Sequence, residues 1–166
     1  RTVKAQDLHV VDSLKDCLTQ QINDTTRSNI YIKLVRQYWH VLPDAKQTLL
    51  NQNTALAYAT QSFIYAKRAN FAKGMGNSCF VRAYIYLDQN KKLQALEWFK
   101  LALYFHQMAD SGTEISDCYL MTGYIYATML DYENALKYDY LHLKYNENRG
   151  DSAEMAGTLH NIGLIF

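Results

Sequence analysis

The chain has 166 residues, of which 49% are hydrophobic and 20% charged, so it can bury a core and is not an intrinsically disordered chain. Its 17 basic and 16 acidic residues give a formal net charge of +1, which leaves no electrostatic footprint for nucleic acid or an anionic membrane surface. With 1 proline and 7 glycines, it lacks the tight turns of a β-sandwich or barrel.

The first predicted element is an amphipathic helix. Its apolar stripe contains Leu8, Val11, Leu14, Leu18 and Ile22, and the polar run 23–26 supplies the following turn and cap. Because the end of a repeat array needs a covering face, we expect residues 1–24 to form an N-terminal capping helix.

An irregular repeat unit is expected over residues 25–73. Its first helix is predicted from Asn29 to Trp39, and its second helix contains Ala55. Between them lie roughly eight extra residues, around 41–50, where Pro43 marks either a break or a fresh helix start.

Two further units are related by a shift of forty residues, 74–113 and 114–153. The shift places 84–86, Tyr-Ile-Tyr, on the same three residue types at 124–126, and Ala95-Leu96 on Ala135-Leu136. A second shift places Gly163 on Gly123, so residues 154–166 are expected to be the first helix of a fourth unit that continues beyond Phe166.

Turn signals divide each unit into two antiparallel helices. Gly150 followed by Asp151 is typical of a helix end and a new N-cap, Asp131 is placed to cap a helix from Tyr132, and Ser111 with Glu114 forms a Ser-x-x-Glu capping box. The pair Gly74 and Gly76 is interpreted as a helix junction.

Small residues recur where the two helices of a unit should approach. Ala83, Gly123 and Gly163 occupy one position of the first helices, and small residues follow twelve positions later in each second helix, at Ala55, Ala95 and Ala135. Bulky side chains at both positions would hold the helices beyond the usual ~8–10 Å.

This arrangement of Gly or Ala, an aromatic residue three later and Ala twelve later resembles the tetratricopeptide repeat. The resemblance implies an all-α fold, a right-handed α-α superhelix (a tetratricopeptide solenoid) of antiparallel helix pairs. Asp139 and His142 depart from the family pattern, the terminal proline is absent, and the period is forty rather than the usual thirty-four.

The opening segments 11–15, 24–27 and 38–39 also resemble the start of tetratricopeptide sensor regions in Bacteroidetes-type signalling proteins. That resemblance implies a non-catalytic protein-interaction or sensory module of a larger signal-transduction protein, of the histidine kinase or adenylate/guanylate cyclase type. It also implies the periplasmic side of a membrane-anchored protein, with a cytoplasmic location as the alternative. The alternative hypotheses are a stand-alone adaptor or scaffold that binds a peptide in the concave groove and a small-ligand sensor.

No motif for catalysis, phosphate binding or metal binding is present in the sequence, so we expect no enzyme activity, no cofactor and no metal in these residues. Five histidines lack the spacing of a metal pair and are expected to be solvated or at the edge of the core. The cysteines Cys17, Cys79 and Cys118 are an odd number without a C-x-x-C pair, which argues against a disulfide framework and predicts three small buried hydrophobic residues. No apolar run approaches the ~20 residues of a membrane span, so no direct membrane contact is expected.

The predicted function is binding of a protein or peptide by the inner surface of the first helices. Aromatic rings beside amide and charged side chains suit an extended peptide. The candidate groove residues are Arg36, Trp39, Asn77, Phe80, Tyr84, Asp88, Asp117, Tyr124, Thr128 and His160.

Self-association is the second predicted function class. Ile162, Ile165 and Phe166 belong to a first helix whose partner helix would lie beyond the sequence, and uncovered apolar repeat ends pair with one another. A homodimer through these residues is therefore an alternative partner arrangement.

Overall fold

The computed structural model describes residues 7–39 and 44–163. Within these ranges the chain forms eight α-helices and no strand. The helices are α1 (Leu8–Thr19), α2 (Asp24–Tyr38), α3 (Ala45–Arg68), α4 (Ala72–Asp88), α5 (Lys92–Met108), α6 (Gly112–Thr128), α7 (Tyr132–Glu147) and α8 (Ser152–Gly163).

The helices pack in the order of the chain, as antiparallel pairs. The pairs α2–α3, α4–α5 and α6–α7 form the hairpins, α1 packs on α2, and α8 packs on α7. Each hairpin also contacts the next one through α3–α4 and α5–α6. The predicted all-α repeat architecture of antiparallel helix pairs is therefore confirmed.

The same turn recurs every twenty residues. Asn70, Asn90, Asp110, Leu130 and Gly150 each have a positive φ, between 49° and 70°. After each of them the next backbone N–H bonds the carbonyl five residues back, as in Asp131 N to Tyr126 O at 3.0 Å. This pattern is the Schellman ending of a helix, and its regular spacing gives α4 to α7 nearly equal lengths.

Helix starts follow the predicted caps in part. Asp131 accepts a hydrogen bond from Asn134 N, and Asp151 accepts one from Glu154 N, as predicted. Ser111 is an N-cap residue but makes no side-chain cap bond, so the predicted capping box does not form there. Helix α2 begins at Asp24 rather than at Asn29 because Asn23 caps it earlier.

Helix α3 begins immediately after the predicted irregular segment. Asp44 caps it by accepting from Gln47 N, so the residues after Pro43 start a new helix. Asn51 and Gln52 are buried, which shows that the added first turns belong to the packed part of the helix.

The small residues lie at close helix contacts, as predicted, except for Gly163, where a Cβ would meet nothing within 4 Å. Ala55, Ala83, Ala95 and Ala135 are all 0% exposed. A Cβ atom on Gly123 would lie 2.6 Å from Asp139 Oδ1. Gly74 and Gly76 lie within the first turns of α4 rather than at a junction, since α4 begins at Ala72; this corrects the sequence interpretation.

Apolar clusters fill the space inside and between the hairpins. Phe99 and Ile125 belong to the cluster that joins α4, α5 and α6, and both are fully buried. Burying a side chain of this size contributes roughly 1.5–3 kcal/mol. No helix within 7–39 and 44–163 is long and apolar enough to cross a bilayer.

Candidate functional site

The first helices of the hairpins each carry a row of partly exposed side chains. On α4, Asn77, Tyr84 and Asp88 follow helical spacing along one face, and Asp117, Tyr124 and Thr128 do the same on α6. We name this surface the A-helix face. It comprises Arg36, Trp39, Asn77, Tyr84, Asp88, Asp117, Tyr124 and Thr128.

Trp39 contacts two of these residues, Tyr84 and Asp88, which belong to the next hairpin. Trp39 Nε1 donates a hydrogen bond of 2.7 Å to Asp88 Oδ2. The Trp39 and Tyr84 rings lie 5.1 Å apart at 48°. Trp39 is the C-cap residue of α2, so the helix end positions the indole against the C-terminal end of α4, the next first helix.

Phe80 is half-buried, as Tyr84 is. Its ring makes edge contacts with Tyr84 at 5.0 Å, Phe99 at 5.5 Å and His106 at 6.3 Å. Tyr84 also contacts Phe99 at 5.2 Å. Phe80 and Tyr84 therefore pack against each other and against the buried Phe99.

Arg36, Tyr84 and Tyr124 occupy one position in three successive first helices. Arg36 is exposed, Tyr84 is half-buried, and Tyr124 has 52% of its surface exposed. A tyrosine exposed to this degree at the centre of a helix face offers an amphipathic contact area to a partner.

Three carboxylates lie near the N-terminal ends of α6 and α8, away from the contact of Trp39 with Asp88. Burial raises the pKa of Asp117, and the negative charges of Glu154 and Glu114 raise it further. Glu114 is paired with Lys73 at 2.7 Å. The half-buried carboxyl of Asp117 thus faces two other acids.

Asn77 and Thr128 make no hydrogen bond with the aromatic residues of the A-helix face within the described part of the chain. Asn77 is half-buried on α4. Thr128 donates its hydroxyl to Ile125 O within its own helix, and its carbonyl accepts a 2.8 Å bond from Lys92 Nζ. Thr128 therefore joins the end of α6 to the start of α5.

The remaining predicted residues lie near the end of the sequence. Ile162 is 9% exposed at the end of α8. The His160 side chain, Ile165 and Phe166 lie outside the described part of the chain.

A buried polar network that the sequence did not predict joins α6, α7 and α8. His142 lies 2.9 Å from Ser116 Oγ through Nε2 and 2.5 Å from Thr158 Oγ1 through Nδ1. Asn146 bonds both Ser116 and the His142 ring. Burial lowers the pKa of His142, against the nearby charges of Glu154 and Asp151.

A simpler version of this network occurs two hairpins earlier, around Ser62 on α3. Ser62 lies one repeat before the position of Ala102 and two before that of His142, and it bonds Ser28 and Ser78 at 3.0 and 2.9 Å. Polar side chains thus join a second helix to the first helices on both sides. The sequence signal was the departure of His142 from the family pattern, but nothing in it paired the partners.

Two histidines correct the expectation of solvated or edge positions. His106 and His142 are both 0% exposed. His106 fits against Gly76, where a Cβ would lie 2.6 Å from the imidazole, and neither ring nitrogen bonds a described residue. Burial lowers the pKa of His106 to about 4, so the ring is neutral at pH 7.

The described residues carry no activated nucleophile. Ser116 and His142 are within hydrogen-bond reach, but both are enclosed between helices, where no substrate atom could reach them. Burial raises the pKa of the Cys79 thiol to about 12 and raises that of Cys118 as well, so both stay protonated.

Comparison with solved structures supports the fold. The crystal structure of the apo form of RapI is similar, with a TM-score of 0.73 and 17% sequence identity; the match covers 91% of this chain and 52% of that one. The fold is TPR-like. This chain spans about half the length of the RapI chain, and at this identity the likeness concerns the fold alone. No protein-family model and no curated protein sequence matches the chain.

Proposed function

We propose that this chain is a non-catalytic module that binds a protein or peptide on the A-helix face. The observation that carries the proposal is the contact of Trp39 with Tyr84 and Asp88, because it builds one aromatic surface from residues of two hairpins. Aromatic anchors with low conformational entropy are the residues that dominate binding energy at interfaces. The TPR-like fold also supports a binding role.

The module would serve as the sensory or interaction part of a larger bacterial signalling protein. The resemblance of its opening segments to sensor regions supports this assignment, and it would place the module on the periplasmic side of a membrane-anchored protein. A stand-alone adaptor using the same surface is the alternative. Fractionation of cells that express the full-length protein, with immunodetection of this segment, separates the two.

Two tyrosines with nearly equal exposure allow a controlled test of the surface. Tyr124 on α6 is 52% exposed, and Tyr140 on α7 is 54% exposed. The probe is an array of fluorescein-labelled dodecapeptides, with binding measured by fluorescence anisotropy. Tyr124→Ala should weaken the affinity of the protein for the captured peptides at least about tenfold, while Tyr140→Ala should leave that affinity unchanged. Equal effects of the two variants, or no captured peptide, would refute the proposal.

A further inference from the structure

Arg82, a half-buried residue of α4, contacts the second helices on both sides of it. Its Nη2 donates a hydrogen bond to Thr60 Oγ1 on α3, and its guanidinium lies over the Trp98 ring on α5, 4.6 Å from the ring centroid. The Thr60 hydroxyl itself donates to Leu56 O at 2.8 Å, so it serves Arg82 as an acceptor. Thr60 is exposed, so the guanidinium lies between α3 and α5 close to the protein surface.

No carboxylate pairs with this guanidinium in the part of the chain that the structure describes. Nε is enclosed and has no hydrogen-bond partner there, and Nη1 makes no hydrogen bond with a described residue. Burial lowers the pKa of Arg82, and the groups whose charges act on it are the thiol of Cys79 and the phenol of Tyr86. Because an arginine stays charged at neutral pH, this is a partly desolvated cation without a counter-ion.

The fold does not need a cation at this position. In the register that relates the first helices, Leu34 and Thr122 occupy the equivalent position of α2 and α6, and both are 0% exposed. Thr122 donates its hydroxyl to Cys118 O within its own helix, at 2.7 Å. Since two uncharged residues fill this position, packing does not account for the partly buried charge of Arg82.

The cation one repeat further on is compensated. Lys100 follows Thr60 by forty residues, on the next second helix, and its Nζ donates to the Tyr126 hydroxyl at 2.9 Å. This bond raises the pKa of Lys100, and the negative charge of Glu97 raises it further. Glu97 is not among the groups that act on Arg82. The arginine is therefore the cation between second helices that lacks a negative partner in the described ranges.

We infer that Arg82 is the centre of a binding site for a carboxylate, which approaches the guanidinium between α3 and α5 while Trp98 covers one face of it. The planar guanidinium matches a carboxylate in geometry. No lysine or other arginine acts on Arg82, so the site offers one positive charge. That suits a carboxylate better than a phosphate monoester, which carries about 1.5–2 negative charges. The site lies outside the A-helix face and goes beyond the proposed peptide binding.

The test uses Trp98 as its reporter. The sequence has 2 tryptophans, so the Trp39→Phe variant emits from the ring beneath Arg82 alone. Acetate replaces chloride at constant ionic strength, which separates binding from screening. The emission should change with a midpoint on the order of 1–10 mM acetate, and saturation should raise the thermal unfolding midpoint by about 2–4 °C. A lower midpoint for phosphate than for acetate would overturn the assignment to carboxylates.

Charge variants in the same background locate the site. Arg82→Gln should abolish the acetate response, and Arg82→Lys, which keeps the charge without the planar fork, should weaken it several-fold. Lys100→Gln is the matched control, because it removes a compensated cation one repeat away and should leave the midpoint unchanged. Circular dichroism verifies that each variant keeps its helices.

Two capped tripeptides distinguish the sources of the carboxylate, acetyl-Gly-Glu-Gly-amide and its Gln counterpart. A response to the Glu peptide at concentrations similar to acetate indicates an acidic side chain of a protein partner. A response to acetate alone indicates a small free carboxylate. No saturable response to either probe, or an equal response in Arg82→Gln, would overturn the inference and would leave peptide binding on the A-helix face untouched.

Discussion

Gly123 lies directly against Asp139, so closely that a Cβ on the glycine would be 2.6 Å from Asp139 Oδ1 and 3.4 Å from Ala135 O. Asp139 is 3% exposed, which leaves its carboxyl little room to move. The contact shows why the first and second helices of this hairpin need a residue without a side chain at this position.

Gly123→Ala should therefore destabilise the protein by about 1–3 kcal/mol, because the added methyl group overpacks the contact. Gly157→Ala on α8 is the matched control: a Cβ there meets nothing within 4 Å, so alanine should raise stability by up to about 1 kcal/mol through helix propensity. Urea unfolding followed by circular dichroism measures both. A Gly123→Ala variant as stable as Gly157→Ala would contradict the close contact.

Leu130 occupies a left-handed turn that its side chain does not favour. Its φ is +61°, whereas the equivalent turns have Asn, Asn, Asp and Gly. Because Leu130 is 71% exposed, little packing is lost when it is replaced. Leu130→Gly should raise the free energy of unfolding by about 1 kcal/mol, and Leu130→Asn by somewhat less.

Gly150→Ala is the reverse change in the same turn type. Gly150 has φ +70° and open space around it, so alanine should cost about 1 kcal/mol through backbone strain alone. Thermal unfolding that shows no gain for both Leu130 variants would contradict the turn geometry.

Two buried groups give the stability of the fold opposite dependences on pH. The His106 pKa falls from 6.5 to about 4 by burial, so the stability from its neutral form is complete above pH 6.5 and is lost as the pH falls toward 4. The Asp139 pKa rises from 3.8 to about 6 by burial, so the stability from its protonated form is complete below 3.8 and is lost as the pH rises toward 6. The two effects oppose each other between about pH 4 and 6.

Single variants should reveal each effect. In Asp139→Asn, the free energy of unfolding should fall by up to about 3 kcal/mol as the pH falls from 6.5 to 4, because only the His106 effect remains. In His106→Leu, the free energy of unfolding should fall as the pH rises from 4 to 6, because only the Asp139 effect remains. Urea unfolding across this range measures the slopes. Identical slopes in both variants would show that these groups are not buried as described.

The network around His142 should hold α8 to the array. Thr158→Val removes the hydroxyl that bonds His142 Nδ1 and leaves a buried nitrogen unsatisfied, which should cost about 1–3 kcal/mol. Thr158→Ser keeps the hydroxyl and serves as the control. Hydrogen exchange of residues 152–163 should accelerate in the valine variant only; equal exchange in both would mean that the hydroxyl does not hold the helix.

The repeat spacing predicted the helix pairs and their close contacts, because Ala55, Ala95 and Ala135 mark the same packed position at a fixed interval. The sequence also predicted that Asp139 and His142 are unusual. It did not predict their surroundings, since Ser116 and Thr158 lie 26 and 16 residues from His142 and follow no local spacing.

Part of the A-helix face could be predicted for the same reason. Tyr84 and Tyr124 share a repeat position, so helical register placed them on one surface. The bond of Trp39 to Asp88 spans 49 residues and crosses the irregular segment, where the forty-residue shift does not apply. Contacts of this kind depend on the angle between hairpins, which the sequence pattern does not contain.

The two tryptophans allow the most direct test of the proposed binding surface, because Trp39 lies on the A-helix face and Trp98 lies under Arg82 on the second helix of a hairpin. Single-tryptophan variants, Trp98→Phe and Trp39→Phe, are titrated with unlabelled dodecapeptides that the array captures while indole emission is recorded. A saturable change in the emission of Trp39, with Trp98 unchanged, is the predicted result. A change at Trp98 alone, or none at either tryptophan, would contradict peptide binding on the A-helix face.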